Sequence, residues 1–215
     1  MLTRKDLARA VLLVAACALL AFALPTHAQT AWLAPAGGQV PQAAQQHRAL
    51  LVRTAHAAWG LDAPVAVFAA QVHQESAWRP DAVSHVGAQG LAQFMPSTAK
   101  WIGSVDPALA AQQPFNVAWA LRALVTYDRW LYNRAPARYT PYERMWVALR
   151  SYNGGLGHWQ AEAAATGAAQ PTRAQVDAAC GKARRAAVHC RENLGYPHRI
   201  LVLLQPRYAA WGPGL

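Results

Sequence analysis

Residues 74–100 read QESAWRPDAVSHVGAQGLAQFMPSTAK, with a single glutamate, Glu75, placed where an apolar helical pattern ends. A turn region rich in Gly, Ser and Asp follows, and helical sequence resumes in GLAQFMPSTA. Upstream, Val65, Phe68, Ala69 and Val72 recur at the spacing of one helix face. Glu75 comes seven residues after Phe68 and three after Val72, so it lies on that same face. Carboxylates ordinarily occupy the wet face, and this chain has few to place: Glu75, Glu143, Glu162 and Glu192 are its glutamates. Two readings are open. Glu75 can pair with Arg79 four residues on, worth a few tenths of a kcal/mol. Alternatively, desolvation against Phe68 and Val72 raises its pKa and makes it a general acid.

The surrounding chain is predicted to be mainly helical. One helix spans residues 47–59 and ends at Gly60. Asp62 is the expected N-cap of the next, with Pro64 in its first turn and a stop at Arg79-Pro80-Asp81. Residues 82–91 form a short hairpin or an irregular loop, and helix resumes over 92–102. Phe115, Ala118, Leu121, Leu124, Val125 and Leu131 predict a long amphipathic helix over 114–134. Pro141 opens another, with Tyr142, Met145, Trp146, Leu149 and Tyr152 on one face, and Asn153-Gly154-Gly155 ends it. One or two weak helices are expected within 161–187. A final one is expected over 192–205, with Pro197 in its first turn.

The 215 residues suffice for one well-cored domain. The net charge of +10 fits an anionic partner. Nucleic acid is not expected, because the chain has no basic run, no helix-turn-helix and no RNP signature. Arg4, Lys5 and Arg9 precede an apolar run over 10–24, and Thr26-His27-Ala28 offers a cleavage site, so 1–28 reads as an export signal. An uncleaved anchor, or a lipid on Cys17 in Val14-Ala15-Ala16-Cys17, is the alternative that would bring the protein to a membrane. Residues 29–46 read as a flexible lead-in, and 47–212 as the domain. In an exported chain Cys180 and Cys190, ten positions apart, read as a disulfide. A metal site built with His189 is the rival, and it lacks a second close Cys pair. His73 and His85 belong to no HExxH pattern and read as surface or supporting residues.

Four short pieces together resemble the soluble lytic transglycosylase family, over residues 51–211. They are Gln74-Glu75-Ser76 with Ala77-Trp78-Arg79-Pro80; Ser84 with GAQGLAQFMP from Gly87 to Pro96; Ser151-Tyr152-Asn153-Gly154-Gly155; and Glu192-Asn193 with Tyr196 and Arg199-Ile200-Leu201. Each is weak alone, and their order and spacing make the set specific. The resemblance implies a lysozyme-like, goose-type helical domain with Glu75 as its one catalytic acid/base. Ser84 would lie near the reacting sugar, Gln93 and Met95 would line the glycan groove, and the Tyr152 hydroxyl would orient Glu75. Phe94, Asn153, Glu192 and Tyr196 complete the implied substrate-binding set. Ala92 and Ser151 replace the family's usual Met and Ala, which bears on subsite shape and not on the reaction.

The activity so implied is cleavage of the MurNAc-β-1,4-GlcNAc bond of peptidoglycan without water, leaving 1,6-anhydromuramoyl ends. It needs no metal or cofactor. Ordinary glycosidases place a second carboxylate across the bond; Asp81 and Glu192 are the nearest candidates by motif. Trp78 and Trp101 are expected at the surface, stacking on sugars. Hydrolytic muramidase action, or a silent glycan-binding role, is the competing expectation. A periplasmic location is expected, with a secretion, conjugation, pilus or phage assembly as the partner served.

Overall fold

The structure, a computed structural model, describes residues 40–215. The expected export signal, Cys17 and most of the lead-in lie outside the described residues. The lead-in's last part is not irregular: α1 (Gln42–Gln45) forms within it and buries Ala44.

Eight further α-helices follow among the described residues: α2 (Arg48–Trp59), α3 (Val65–Ser76), α4 (Pro96–Ile102), α5 (Val117–Tyr132), α6 (Pro141–Gly154), α7 (Leu156–Ala165), α8 (Arg173–Ala178) and α9 (Cys190–His198). Helix α3 is the central rod. Val65 to Val72 are all buried, because α2 and the C-terminal segment pack against it from different sides. A helix apolar nearly all round belongs in a core. Pro64 stands at its N-cap position and Asp62 in the preceding exposed turn, so the expected Asp cap is not used.

Helix α3 ends at Ser76, before the expected stop. Ala77 and Trp78 both take positive φ, 50° and 65°. Left-handed backbone is costly for residues with a Cβ. Here it turns the Trp78 ring into the core, where it is fully buried and its indole N–H donates to Tyr208 Oη at 2.8 Å. Trp78 is therefore no sugar-stacking surface, and that expectation is corrected.

The open choice over 82–91 resolves as an irregular loop. Among the described residues there is no strand, only isolated bridges pairing Val83 with Gln89 and Gln89 with Phe94. Gly90 lets this loop pass close to its neighbour: a Cβ there would lie 1.8 Å from the Pro114 carbonyl oxygen. Helix α4 begins only at Pro96, not at 92, since Gln93 has φ 49° and Pro96 prefers the first helical turn. Helix α5 starts at Val117, where the Asn116 side chain caps Trp119 N, leaving Phe115 exposed.

Helix α6 is framed by a Thr140/Glu143 capping box and ends at Gly154 as expected. The weak helical stretch resolves into α7 and α8. The last helix starts earlier than expected, at Cys190, and places Pro197 near its end. Proline donates no N–H to the preceding turn, and the chain next widens into a π-helical Arg199–Leu204, then a 3-10 stretch, Gln205–Trp211. This change of winding leaves Leu203 exposed. Cys180 and Cys190 are disulfide-bonded, with Cα atoms 5.9 Å apart.

A buried ion cluster joins α6, α7, α8 and α9. Arg150, fully buried on α6, donates to Glu162 at 2.6 Å, Asp177 at 2.8 Å and Asn193 at 3.0 Å. Arg185 donates to the other Glu162 oxygen at 2.8 Å. Removing one member strands the other charges away from water, at a cost of ~3–5 kcal/mol. Arg150→Ala is expected to lose that much in urea unfolding. Arg122→Ala, which breaks the more exposed pair with Asp106, should lose under about 1 kcal/mol.

Candidate active site

Glu75 lies in the last turn of α3, half-buried and open on one side. Its Oε1 accepts a hydrogen bond from Tyr196 Oη, donated from α9. The carboxyl pKa is pushed up to about 7. Loss of hydration is the largest cause, and the nearby charge of Glu192 acts in the same direction. The Tyr196 bond and the Arg199 guanidinium oppose it without prevailing. The Glu75 carboxyl therefore exchanges its proton near neutral pH.

The tyrosine that holds Glu75 is thus Tyr196, not Tyr152. Tyr152 Oη donates instead to the Ala92 carbonyl at 2.7 Å, tying α6 to the loop before α4. It stays in the electrostatic neighbourhood: the Glu75 charge adds to the burial that raises its own pKa. The other implied residues divide into those facing solvent and those used in packing. Met95 is exposed and Glu192 is exposed, accepting from Asn153 Nδ2 at 3.3 Å. Ser84 Oγ accepts from Ala88 N at 3.0 Å, which leaves its hydroxyl proton to give. Gln93 spends its amide N–H groups on the carbonyls of Gly90 at 2.9 Å and Ala82 at 3.2 Å, bracing the loop. Phe94 is buried, edge-on to Tyr152 and Trp119, and supports the floor from below.

Trp101 is half-buried. With Tyr127, Trp130, Ser97, Thr98 and Leu156 it lines an open pocket of about 420 Å³. Tyr127 stands 5.2 Å, ring to ring, from Tyr152, so this aromatic pocket lies one ring away from the residues around Glu75. His73 is half-buried against Tyr208 Oη at 2.8 Å, and His85 is exposed. Among the described residues no group of three or more His, Cys, Asp or Glu is placed to hold a metal ion.

Sequence reasoning missed the polar groups behind the site. Asp128 of α5 is fully buried beside Gln71 of α3, one turn before Glu75, with Gln71 Nε2 3.4 Å from Asp128 Oδ1. Burial holds the Asp128 carboxyl well above the usual carboxylate range, with Glu75 adding to the effect. The signal was present: Asp128 falls in phase with Leu121, Leu124, Val125 and Leu131, as Glu75 does with Phe68 and Val72. Asn193, quoted in the fourth motif but given no role there, is the second such group. Buried on α9, it donates to Arg150 O at 2.8 Å and Asn153 Oδ1 at 3.0 Å, linking the ion cluster to the rim of the site.

A helical domain with a desolvated, tyrosine-bound glutamate at the end of its central helix is the arrangement of a lysozyme-like protein. The Transglycosylase SLT domain family matches residues 51–174, and the chain belongs to that family. Among curated relatives, it is 40% identical over 92 residues to membrane-bound lytic murein transglycosylase F of Maricaulis maris, covering 43% of this chain and 19% of that protein. It is 38% identical over 92 residues to the protein of the same name from Marinobacter nauticus, covering 43% of this chain and 17% of that one. The chain thus spans only about a fifth of the length of these relatives. Among solved structures, the 70 kDa soluble lytic transglycosylase SLT70 of Escherichia coli superposes with a TM-score of 0.52 at 22% identity, over 78% of this chain and 25% of that one. That likeness confirms the expected helical lysozyme-like fold.

A raised carboxyl pKa carries a stability cost of definite sign. Between about 4.5 and 7 the folded state keeps a proton on Glu75 that the unfolded chain has lost, so stability falls as pH rises through this window. Glu75→Gln removes that cost. Thermal melting at pH 8 is expected to show the variant more stable than wild type by on the order of 1–3 kcal/mol. The gap should close below about pH 4.5, where Glu75 is protonated in both states.

Proposed function

We propose that the protein is a peptidoglycan lytic transglycosylase, with Glu75 as its single acid/base. The observation that carries this reading is the half-buried Glu75 carboxyl, held by Tyr196 and with its pKa pushed up to about 7. Family membership supports the same chemistry, since the relatives it matches are named lytic murein transglycosylases.

The other carboxylates are poorly placed to share the reaction. Asp128 is sealed in the core, where burial pushes its carboxyl pKa well up, Glu192 is engaged by Asn153, and Asp81 is exposed on the loop after α3. A glycosidase that uses two carboxyl groups needs both beside the scissile bond. Glu75 acting alone fits a reaction in which the substrate supplies the second group. Protonated Glu75 gives its proton to the glycosidic oxygen between MurNAc and GlcNAc as the bond to C1 breaks. The 2-acetamido oxygen of the muramoyl sugar stabilises C1. Ionised Glu75 then takes the proton of the C6 hydroxyl, and O6 bonds to C1. The product is a 1,6-anhydromuramoyl end, the carboxyl is again protonated, and no water is consumed.

Met95, Ser84, Asn153 and Glu192 line the glycan path on this reading, and the pocket of Trp101, Tyr127 and Trp130 offers rings for a further sugar. The leader-like residues 1–28 and the basic charge support export to the periplasm and local opening of the wall there.

Digested sacculi are expected to yield muropeptides carrying the anhydro mass. Reducing muramic ends in their place would identify a hydrolase and overturn the lyase mechanism. Glu75→Gln should lower the rate of sacculus solubilisation by roughly 100-fold or more, the scale of lost acid catalysis; unchanged solubilisation would refute the site.

The pH profile gives a separate check. Activity should fall above about pH 7 as Glu75 loses the proton it must donate. Tyr196 favours the ionised carboxylate by donating to it, so Tyr196→Phe should move that limb to higher pH. A limb that stays in place or moves down would dissociate Tyr196 from the ionisation.

A further inference from the structure

A second cavity lies away from Glu75. It is an open cleft of about 740 Å³ between α2, α5 and the turn at Pro107, lined by Arg53, Arg122, Arg129, Arg134, Asp106 and Trp130. Four guanidinium groups face a single carboxylate there, and that carboxylate is already taken. Arg122 grips Asp106 through Nε at 2.6 Å and a second nitrogen at 3.1 Å. Arg129 donates one N–H to Ala58 O. Arg134 donates to Trp130 O at 2.9 Å and lies 3.4 Å over the Trp130 ring. Arg53 is exposed and has no ion-pair partner among the described residues.

Each guanidinium has five N–H donors, so most donors in the cleft remain unspent. Elsewhere in the molecule Arg150, Arg173 and Arg185 pair with Glu162 or Asp177, while Arg48, Arg138 and Arg144 bond backbone carbonyls. In the cleft, four guanidinium groups meet one carboxylate, which leaves an excess of positive charge that an anionic ligand would offset. Leu50, Val105 and Pro107 add apolar wall, and the volume suits a short chain of small groups.

Trp130 connects this cleft to the rest of the molecule. It lines both the arginine cleft and the aromatic pocket. Its ring is 4.9 Å from Trp101 and 6.1 Å from Tyr127, and Tyr127 is 5.2 Å from Tyr152. A row of rings therefore runs from the neighbourhood of Glu75 to the edge of the arginines.

We propose that the cleft binds the carboxylates of peptide stems attached to the glycan, as a site separate from the groove that holds the sugars. This rests on the function proposed above. A sugar stacked in the Trp101/Tyr127/Trp130 pocket would project its stem past Trp130, where the arginines meet its free carboxylates and the apolar wall meets its methyl groups.

The test compares two substrates: sacculus glycan bearing its stems, and the same strands stripped of peptide by an amidase. Arg53→Glu, and the double change Arg53→Glu with Arg134→Glu, should raise KM on peptide-bearing glycan by about tenfold for the double variant. On stripped strands KM should stay within about twofold of wild type. Arg53→Lys, which keeps the charge, should restore most of the affinity, and the effect should shrink with added salt. Equal changes on both substrates, or none on either, would overturn the proposal. A binding arm is independent of turnover. The full chain carrying Glu75→Gln is titrated calorimetrically with the tripeptide L-Ala-γ-D-Glu-meso-diaminopimelate and with its fully amidated form. Binding of the acidic peptide alone, lost in Arg53→Glu, is expected; absence of binding, or equal binding of the neutral form, refutes the cleft. If wild type cleaves neither glycan while the peptide still binds, the function proposed for Glu75 fails and the cleft stands.

Discussion

The hydrogen bond from Tyr196 to Glu75 is the contact around which the domain is arranged. It joins the end of α3 to α9 across 121 residues of sequence. For that bond to exist, α3 must be packed deeply enough to hold its last turn still, and α9 must be carried back over it. The first requirement is met by apolar burial on nearly every side of α3. The second is met by Asn193 and Arg150, which anchor α9 to α6, and by the C-terminal turns that wrap α3 through Tyr208 and Trp211. The same packing that fixes the carboxyl also strips its water, so position and pKa have a common origin.

Polar groups in this protein are handled in two ways. Arg150, Glu162, Asp177 and Arg185 pair with one another in a largely buried cluster, so their charges stabilise one arrangement of α6, α7 and α8, to which Asn193 ties α9. Half-buried Glu75 and fully buried Asp128 have no cationic ion-pair partner among the described residues, and loss of hydration raises the pKa of both. The first group holds the scaffold. In the second, Asp128 is sealed in the core, whereas Glu75 keeps part of its surface in contact with solvent.

The irregular loop between α3 and α4 shows why strain is tolerated near such a site. Ala77, Trp78 and Gln93 all take left-handed backbone. Trp78 is secured by the core and by Tyr208, and Gln93 by its own amide on Gly90 and Ala82. The result is a braced loop following Glu75, made from a segment with no regular secondary structure.

Much of this was legible in the residues. Helical phase placed Glu75 on an inward face, the turn chemistry at Gly60 and Gly154-Gly155 marked helix ends, and the order of four motifs implied a lysozyme-like helical domain. These are local properties, carried by spacing along one segment. What only the tertiary structure decided is which distant groups meet. Tyr196 and not Tyr152 takes Glu75, Trp78 turns inward and not outward, and Arg150 finds its carboxylates in α7 and α8. Such outcomes depend on where the helices cross and how deeply each one is buried. Periodicity describes the face a helix presents, whereas packing selects the partner that face receives.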